Sequence, residues 1–310
     1  MFNTRTNIIV LGILSACLLS SCEKEIILKS NNFKPSIVLN SIFTSDSTWT
    51  LSLTTSRNLL DENSKILPIT DASVVISENN GQTVCLLKHM GEGIYKSADC
   101  FGYPEKQYSI TISSPIYGQA EASSRIPSPA LITDVKLIHL ENEETKIDFN
   151  IQDNSTSNNY FIWSLVDIPE KVAEDQPNSP AVNLDVTKWV SEISKNLTSI
   201  KINNSTSVLS AEESINSPII KSSVITRNDL LLINDNPNDP PSPSNPKMVT
   251  YLRVMTVSDE LYKYYKSIEN YIQYKDKNTS AYESEFIYSN VKGGIGVFAG
   301  YSVQYLPLKK

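Results

Sequence analysis

Trp49-Thr50-Leu51-Ser52-Leu53-Thr54 alternates bulky apolar with small polar residues, a period of two and not the helical period of about 3.6. An extended chain sends successive side chains to opposite faces, so Trp49, Leu51 and Leu53 share one face that another layer must cover. The same pattern recurs on both sides of it. Ser36-Ile37-Val38-Leu39-Asn40-Ser41-Ile42-Phe43 precedes it, and Ala72-Ser73-Val74-Val75-Ile76-Ser77 follows and ends at Asn79-Asn80-Gly81. Asn-Gly suits a tight hairpin, because both residues tolerate positive φ. Further strand patterns occupy 83–90, 93–98, 107–112 and 118–124. About seven short strands separated by turn signals predict an immunoglobulin-like β-sandwich over residues 35–127.

Ile126-Pro127-Ser128-Pro129 interrupts this pattern and sets a domain boundary, since two prolines deny donors to a ladder. A second β-rich domain is expected over 130–310. Its strand patterns include 131–140, 146–153, Asn159-Tyr160-Phe161-Ile162-Trp163-Ser164-Leu165 and 249–257. Residues 169–222 are rich in Ser and Asn, with a short helix expected near 186–194. Pro237, Pro240, Pro241, Pro243 and Pro246 make 235–246 an exposed loop. The clearest helix runs over 259–275. Ser258 is a good N-cap, and Asp259 and Glu260 suit the positive helix start. Leu261, Tyr264, Tyr265, Ile268 and Ile272 recur on one face, with Lys263, Lys266, Glu269, Asn270 and Gln273 mostly opposite. The fold class is therefore mainly β, a sandwich followed by a β-rich domain carrying one amphipathic helix.

The first residues carry an address. Arg5 precedes Ile8-Ile9-Val10-Leu11-Gly12-Ile13-Leu14, the apolar run continues through Ala16-Cys17-Leu18, and Leu19-Ser20-Ser21-Cys22 closes it. A bilayer span takes about 20 apolar residues, so this run is too short, and small residues stand just before Cys22. The ending resembles a bacterial lipobox, in which residues 1–21 are removed and Cys22 is lipidated. Residues 22–34 then form a charged and polar tether from the membrane anchor. No later segment approaches a membrane-spanning run.

Composition narrows the function classes. A net charge of −7 and a pI near 5.0 argue against nucleic acid, whose phosphates need a basic footprint. Gly294-Ile295-Gly296-Val297-Phe298-Ala299 has the letters of a dinucleotide fingerprint, but too little chain follows for the crossover and second strand. Those glycines read as close backbone approach or a bulge in a terminal strand. His89 and His139 each sit inside a strand pattern, and no His-Glu-x-x-His or paired Cys-x-x-Cys occurs. Glu141, Glu143 and Glu144 read as a solvated turn. No Gly-x-Ser-x-Gly elbow is present, and no pair of carboxylates stands out. We expect no catalytic residue, no metal and no cofactor.

Cys85 and Cys100 flank a strand–glycine turn–strand pattern that places them almost opposite each other. An exported chain sits where disulfides persist, so a bridge and two separately buried thiols are the alternatives. Tyr262, Tyr264, Tyr265, Tyr271 and Tyr274 crowd the helix, while Trp163 and Trp189 lie elsewhere in the second domain. Phenols with an apolar body and polar tip suit a glycan or peptide ligand or a protein partner, but Tyr264 and Tyr265 equally match the face that buries against a sheet.

Taken in order, Ile37-Val38-Leu39-Asn40, Asp71-Ala72-Ser73-Val74 with Gly81, Gly93-Ile94-Tyr95, Tyr108-Ser109-Ile110 and Arg125-Ile126-Pro127 resemble a family of unknown function. Ser258 through Tyr265 and Asn290-Val291-Lys292-Gly293-Gly294-Ile295-Gly296-Val297-Phe298 extend the resemblance over nearly the whole mature chain. The family comprises Bacteroidota outer-membrane lipoproteins, typically encoded beside TonB-dependent receptors, and offers no established catalytic residues to carry over. Glu23-Lys24-Glu25 resembles the acidic surface-export signal of such bacteria, and Asp46-Ser47-Thr48 their O-glycosylation motif. The resemblance implies a lipid-anchored outer-membrane protein facing the exterior. Such a protein would be non-enzymatic and would capture a ligand for, or act as accessory to, a TonB-dependent receptor β-barrel. A lipid-anchored hydrolase of surface glycan or peptide and an adhesin-like module are the other readings.

Overall fold

The computed structural model describes residues 33–58, 61, 63–79, 81–141, 143–152, 160–169, 182–183, 188–191, 198–202, 205–211, 219–231, 248–276 and 286–308. The lipidation site Cys22 and the export residues Glu23, Lys24 and Glu25 lie outside them. The chain divides into two units, Met1–Lys34 with Arg57–Lys65, and Pro35–Ser56 with Ile66–Lys310. In the first, the Asn58 N–H donates to Ser64 Oγ at 2.8 Å, closing a turn. The second carries every strand and helix described below.

Alternation in the N-terminal sequence becomes seven strands: β1 (Ile37–Phe43), β2 (Thr48–Thr55), β3 (Ser73–Glu78), β4 (Thr83–Gly91), β5 (Ile94–Phe101), β6 (Gln107–Ser114) and β7 (Gly118–Arg125). They pair in the order β1-β2-β5-β4-β3-β6-β7. The face that carries Trp49, Leu51 and Leu53 is buried, together with Leu39, Ile76, Tyr95, Tyr108 and Ile110. Phe43 anchors an aromatic cluster, its ring 4.4 Å from Trp49 and 4.5 Å from Phe298. The β4–β5 hairpin turns through Glu92 and Gly93, both at positive φ. Its open end is closed by a Cys85–Cys100 disulfide with a Cα–Cα distance of 6.0 Å.

The rest of the chain forms β8 (Leu131–His139), β9 (Glu144–Gln152), β10 (Tyr160–Pro169), β11 (Val182–Asn183), β12 (Lys188–Ser191), β13 (Thr198–Ile202), β14 (Ser205–Ala211), β15 (Ile219–Arg227), β16 (Met248–Val257), α1 (Asp259–Asp276) and β17 (Gly294–Pro307). One four-stranded sheet runs β12-β15-β9-β8, and β13-β14-β10-β16-β17 continues into β1. The fold is thus mainly β and sandwich-like, with α1 as the one α-helix among the described residues. No helix among them is long and apolar enough to cross a membrane.

Two sequence expectations differ from what is observed. The helix expected near 186–194 is replaced, where described, by β12, whose Lys188–Ser191 ladder on β15 outweighs weak local preference. Ile272, assigned to the buried helix face, is exposed, because the sheet beneath α1 covers only its first turns.

The last strand joins the two ends of the sequence. Residues 294–300 of β17 pair in parallel with β1, and residues 301–307 pair antiparallel with β16. Val291 and Phe298 belong to the core built by the N-terminal strands, although they lie far beyond the Ile126–Pro129 break. Gly296 makes this pairing feasible. Its φ is +118°, and a Cβ there would lie 1.9 Å from the Leu39 carbonyl oxygen.

Candidate functional site

β16 is central, paired along its length with β10 and over its C-terminal part with β17. A central strand of a two-layer protein has both faces covered, and Met248–Val257 is correspondingly apolar. Its one charged residue is Arg253. Leu252 and Val254 face the core shared with Phe149, Trp163 and Leu165. The alternate residues, Tyr251, Arg253, Met255 and Val257, therefore face the other way, toward α1.

Register places that second face in rows. Val257 lies beside Tyr160 and Tyr301, and Met255 beside Ile162 and Val303. Leu261, Tyr262, Tyr264 and Tyr265 of α1 pack on these two rows. Hydrogen bonds fix the helix there. The Leu261 N–H donates to Ser258 Oγ at 3.3 Å, and the Tyr160 hydroxyl donates to Asp259 Oδ1 at 3.0 Å. Ser124 of β7 accepts from the Gly300 N–H and donates to Glu260 Oε2 at 2.6 Å.

The next row changes character. Arg253 stands between Ser164 of β10 and Tyr305 of β17. Ser207, one residue before Val208 of the Trp163–Val208 pair, continues the row onto β14. Buried side-chain polar atoms ordinarily find partners. In this row Arg253 Nε, Arg253 Nη2, Ser164 Oγ and Ser207 Oγ are buried with no hydrogen-bond partner among the described residues. Among the described residues the polar neighbour of the guanidinium is the Tyr305 phenol.

Burial pushes the Arg253 pKa down, and the nearby Tyr305, Tyr301 and Tyr265 oppose the shift. An arginine still keeps its proton in a protein. Burial also raises Tyr265 and Tyr301 to about 12, so both remain neutral phenols. The result is a largely buried positive charge beside Tyr305, Tyr301 and Tyr265, with the Asp46 carboxylate close to Tyr301 and Tyr305.

A cavity of about 460 Å³ adjoins this row, lined by Asp46, Ile168, Tyr251, Val303, Gln304, Tyr305 and Pro307. Three of these surround Arg253 in register: Tyr305 opposite it, Tyr251 two residues along its own strand, and Val303 on the diagonal. The cavity lies where β1 has already ended at Phe43 and Asp46 turns the chain back toward β2.

The structure sorts the residues singled out by sequence. Tyr264 and Tyr265 lie on the helix face over β16 and β17, and their rings are 5.9 Å apart. Tyr262 stacks on Tyr160 with ring centroids 4.1 Å apart. Tyr271 is exposed, and Tyr274 lies in the last turns of α1, its side chain outside the described set. Cys85 and Cys100 are bridged in the other half of the sheet. His89 Nε2 accepts from the Gly93 N–H, and His139 pairs with the Thr145 hydroxyl. Among the described residues no three His, Cys, Asp or Glu side chains converge as a metal site.

Arg253, Ser164, Ser207, Tyr301 and Tyr305 were not among the residues singled out. Their signal was one arginine inside a ten-residue apolar strand, where a charge must be paired or used.

Fold and site together define a mainly β protein with a largely buried arginine hydrogen-bonded to Tyr305, and a cavity bordered by Tyr251 and Tyr305. The chain belongs to the family described as a domain of unknown function, DUF4249, which its residues 23–305 match. A search of curated proteins finds no match. Solved structures with some likeness include bovine butyrophilin, 9% identical over 74% of this chain and 94% of the other, with a TM-score of 0.22. A Salmonella alpha-2-macroglobulin mutant is 10% identical over 74% of this chain and 14% of that one, with a TM-score of 0.24. A Bacteroides uniformis protein named for inferred carbohydrate binding is 12% identical over 88% of this chain and 99% of that one, with a TM-score of 0.24.

Proposed function

We propose that this chain is a non-enzymatic, lipid-anchored outer-membrane protein that captures a ligand at the cell surface for a TonB-dependent transporter. The observation that supports the binding role is the cavity of about 460 Å³ bordered by Tyr251, Val303, Tyr305 and Pro307. Concave, largely apolar sites with a few convergent polar groups are the usual form of small-ligand pockets. Leu19-Ser20-Ser21-Cys22 supports the anchor, and Glu23-Lys24-Glu25 the outward display. A lipid on Cys22 would hold the pocket within reach of a membrane receptor, raising its effective concentration there.

The test is native co-purification. Tagged protein released from its own membranes in gentle detergent should bring a β-barrel receptor with it. Emergence alone would retire the transporter role. Cys22→Ala should separately abolish incorporation of a labelled fatty acid and shift the protein out of the membrane fraction.

A further inference from the structure

We infer that the end of the N-terminal strands at which the chain arrives from Cys22 lies on the bilayer, with a rim of six apolar side chains in the boundary between headgroups and acyl chains. This inference rests on the lipid-anchored reading above but not on the transporter or on ligand capture. Strand ends fix which residues share that end. β1 and β17 begin there together, Ile37 pairing with Gly294, and β2 ends there at Thr55. The Thr55 N–H donates to the Leu67 carbonyl, which brings Ile66 and Leu67 alongside. The β4–β5 turn joins them where the Leu53 N–H donates to the Gly93 carbonyl at 2.8 Å. The β6–β7 turn closes at the Ser114–Gly118 pair, and β7 leaves it beside Gly293, where a Cβ would lie 2.3 Å from the Gln119 carbonyl oxygen. Ile66, Leu67, Met90, Ile94, Ile116 and Ile295 stand exposed around this rim, Met90 at 67% and Ile116 at 71%.

Chain connectivity says what covers the rim. From Cys22 to Pro35, where the unit of strands begins, there are thirteen Cα–Cα steps. Fully extended they reach at most about 45 Å, so a lipid on Cys22 ties this end, not the far one, to the bilayer. β17 carries the rest of the unit the other way, its residues 294–300 on β1 and its residues 301–307 on β16. The part of β17 that borders the cavity, from Val303 to Pro307, then starts about 30 Å along the strand from Gly294, on the side away from the membrane. The rim's chemistry favours lipid over protein. All six side chains are Ile, Leu or Met, whereas the anchors of protein interfaces are mostly Trp, Tyr and Arg. Asp71, Glu92 and Lys292 bring charge of both signs to the same end, so contact comes from apolar burial and not from attraction to anionic lipid. Phe101 and Tyr103 are exposed at the opposite end, but Asp99, Glu105 and Lys106 flank them in sequence.

The experiment follows amide hydrogen exchange of the whole lipidated chain in phosphatidylcholine vesicles, against the mature chain with Cys22→Ala free in buffer. Exchange at 66–67, 90–94 and 116–117 should slow about tenfold on the vesicles, whereas exchange at 103–106 should not change. Raised salt should leave this pattern as it is. Met90→Asp combined with Ile116→Asp should abolish the slowing without moving the melting midpoint, since both side chains are exposed. Tyr103→Asp, at the far end, should behave as the parent does. The inference is overturned if the rim exchanges alike in both states, if the paired aspartate substitutions keep the slowing, or if salt removes it. It is equally overturned if protection needs a β-barrel receptor in the membrane, which would make the occupant a protein. A chain that takes no fatty acid at Cys22 removes the anchor and this inference together; a fatty acid on Cys22 with an unprotected rim removes this inference alone.

Discussion

Arg253 and Tyr305 sit opposite each other in the β16–β17 ladder, and the Tyr305 phenol is the guanidinium's polar neighbour among the described residues. A neutral phenol is weak compensation for a buried positive charge. The pair therefore marks a place where the sheet carries a charge whose burial costs stability.

That cost is measurable. Arg253→Met keeps the length of the side chain and removes the charge, so the variant should be more stable than the parent by about 1–4 kcal/mol. Chemical denaturation without ligand checks this. A loss of stability would mean that Arg253 holds the fold together.

Alkaline pH should weaken the protein through the phenols of the helix face. Tyr265 and Tyr301 are raised from 10.0 to about 12 by burial. Between those values the unfolded chain loses protons that the folded state retains, so stability falls as pH rises from 10 toward 12 and is unaffected below 10. Each tyrosine should contribute a loss of up to about 2–3 kcal/mol by pH 12. Tyr265→Phe and Tyr301→Phe should each flatten the decline, as followed by urea midpoints across that range.

Reduction of Cys85–Cys100 should cost about 3 kcal/mol, because the bridge closes a loop of 15 residues in the unfolded chain. Cys85→Ser with Cys100→Ser should lower the denaturation midpoint by the same amount, with or without reductant.

Gly296→Ala should be severe. The new Cβ would meet the Leu39 carbonyl at 1.9 Å, at a φ that alanine avoids, so β17 would have to leave β1. A loss of about 3 kcal/mol or more is expected, with hydrogen exchange accelerated in β1 before β4. Gly91→Ala is the control, for there a Cβ meets nothing within 4 Å, although its positive φ still carries a small backbone penalty.

Much of the architecture could be read directly from local pattern. Trp49, Leu51 and Leu53 announced their shared face by period two, and Ser258 with Leu261 announced the helix start by cap and spacing. The glycines of 294–296 were legible as close backbone approach within a strand, and Gly294 and Gly296 do lie against the Ile37 and Leu39 carbonyls. Less was legible about the site. The tyrosines of α1 drew attention to the right face, but Arg253 was hidden inside a strand pattern that registers only apolar periodicity.

By itself the sequence determined the strands of the first 127 residues, those near 131–165 and 249–257, and helix α1 with its cap, because periodicity and capping depend on residues within a few positions of one another. Only the tertiary structure decided that Ile37 pairs with Gly294, and that Arg253, Ser164, Ser207 and Tyr305 form one row. Strand adjacency and the surroundings of a buried charge are properties of residues far apart in the chain. No local pattern encodes them, and desolvation gives them their energy only once the layers have closed.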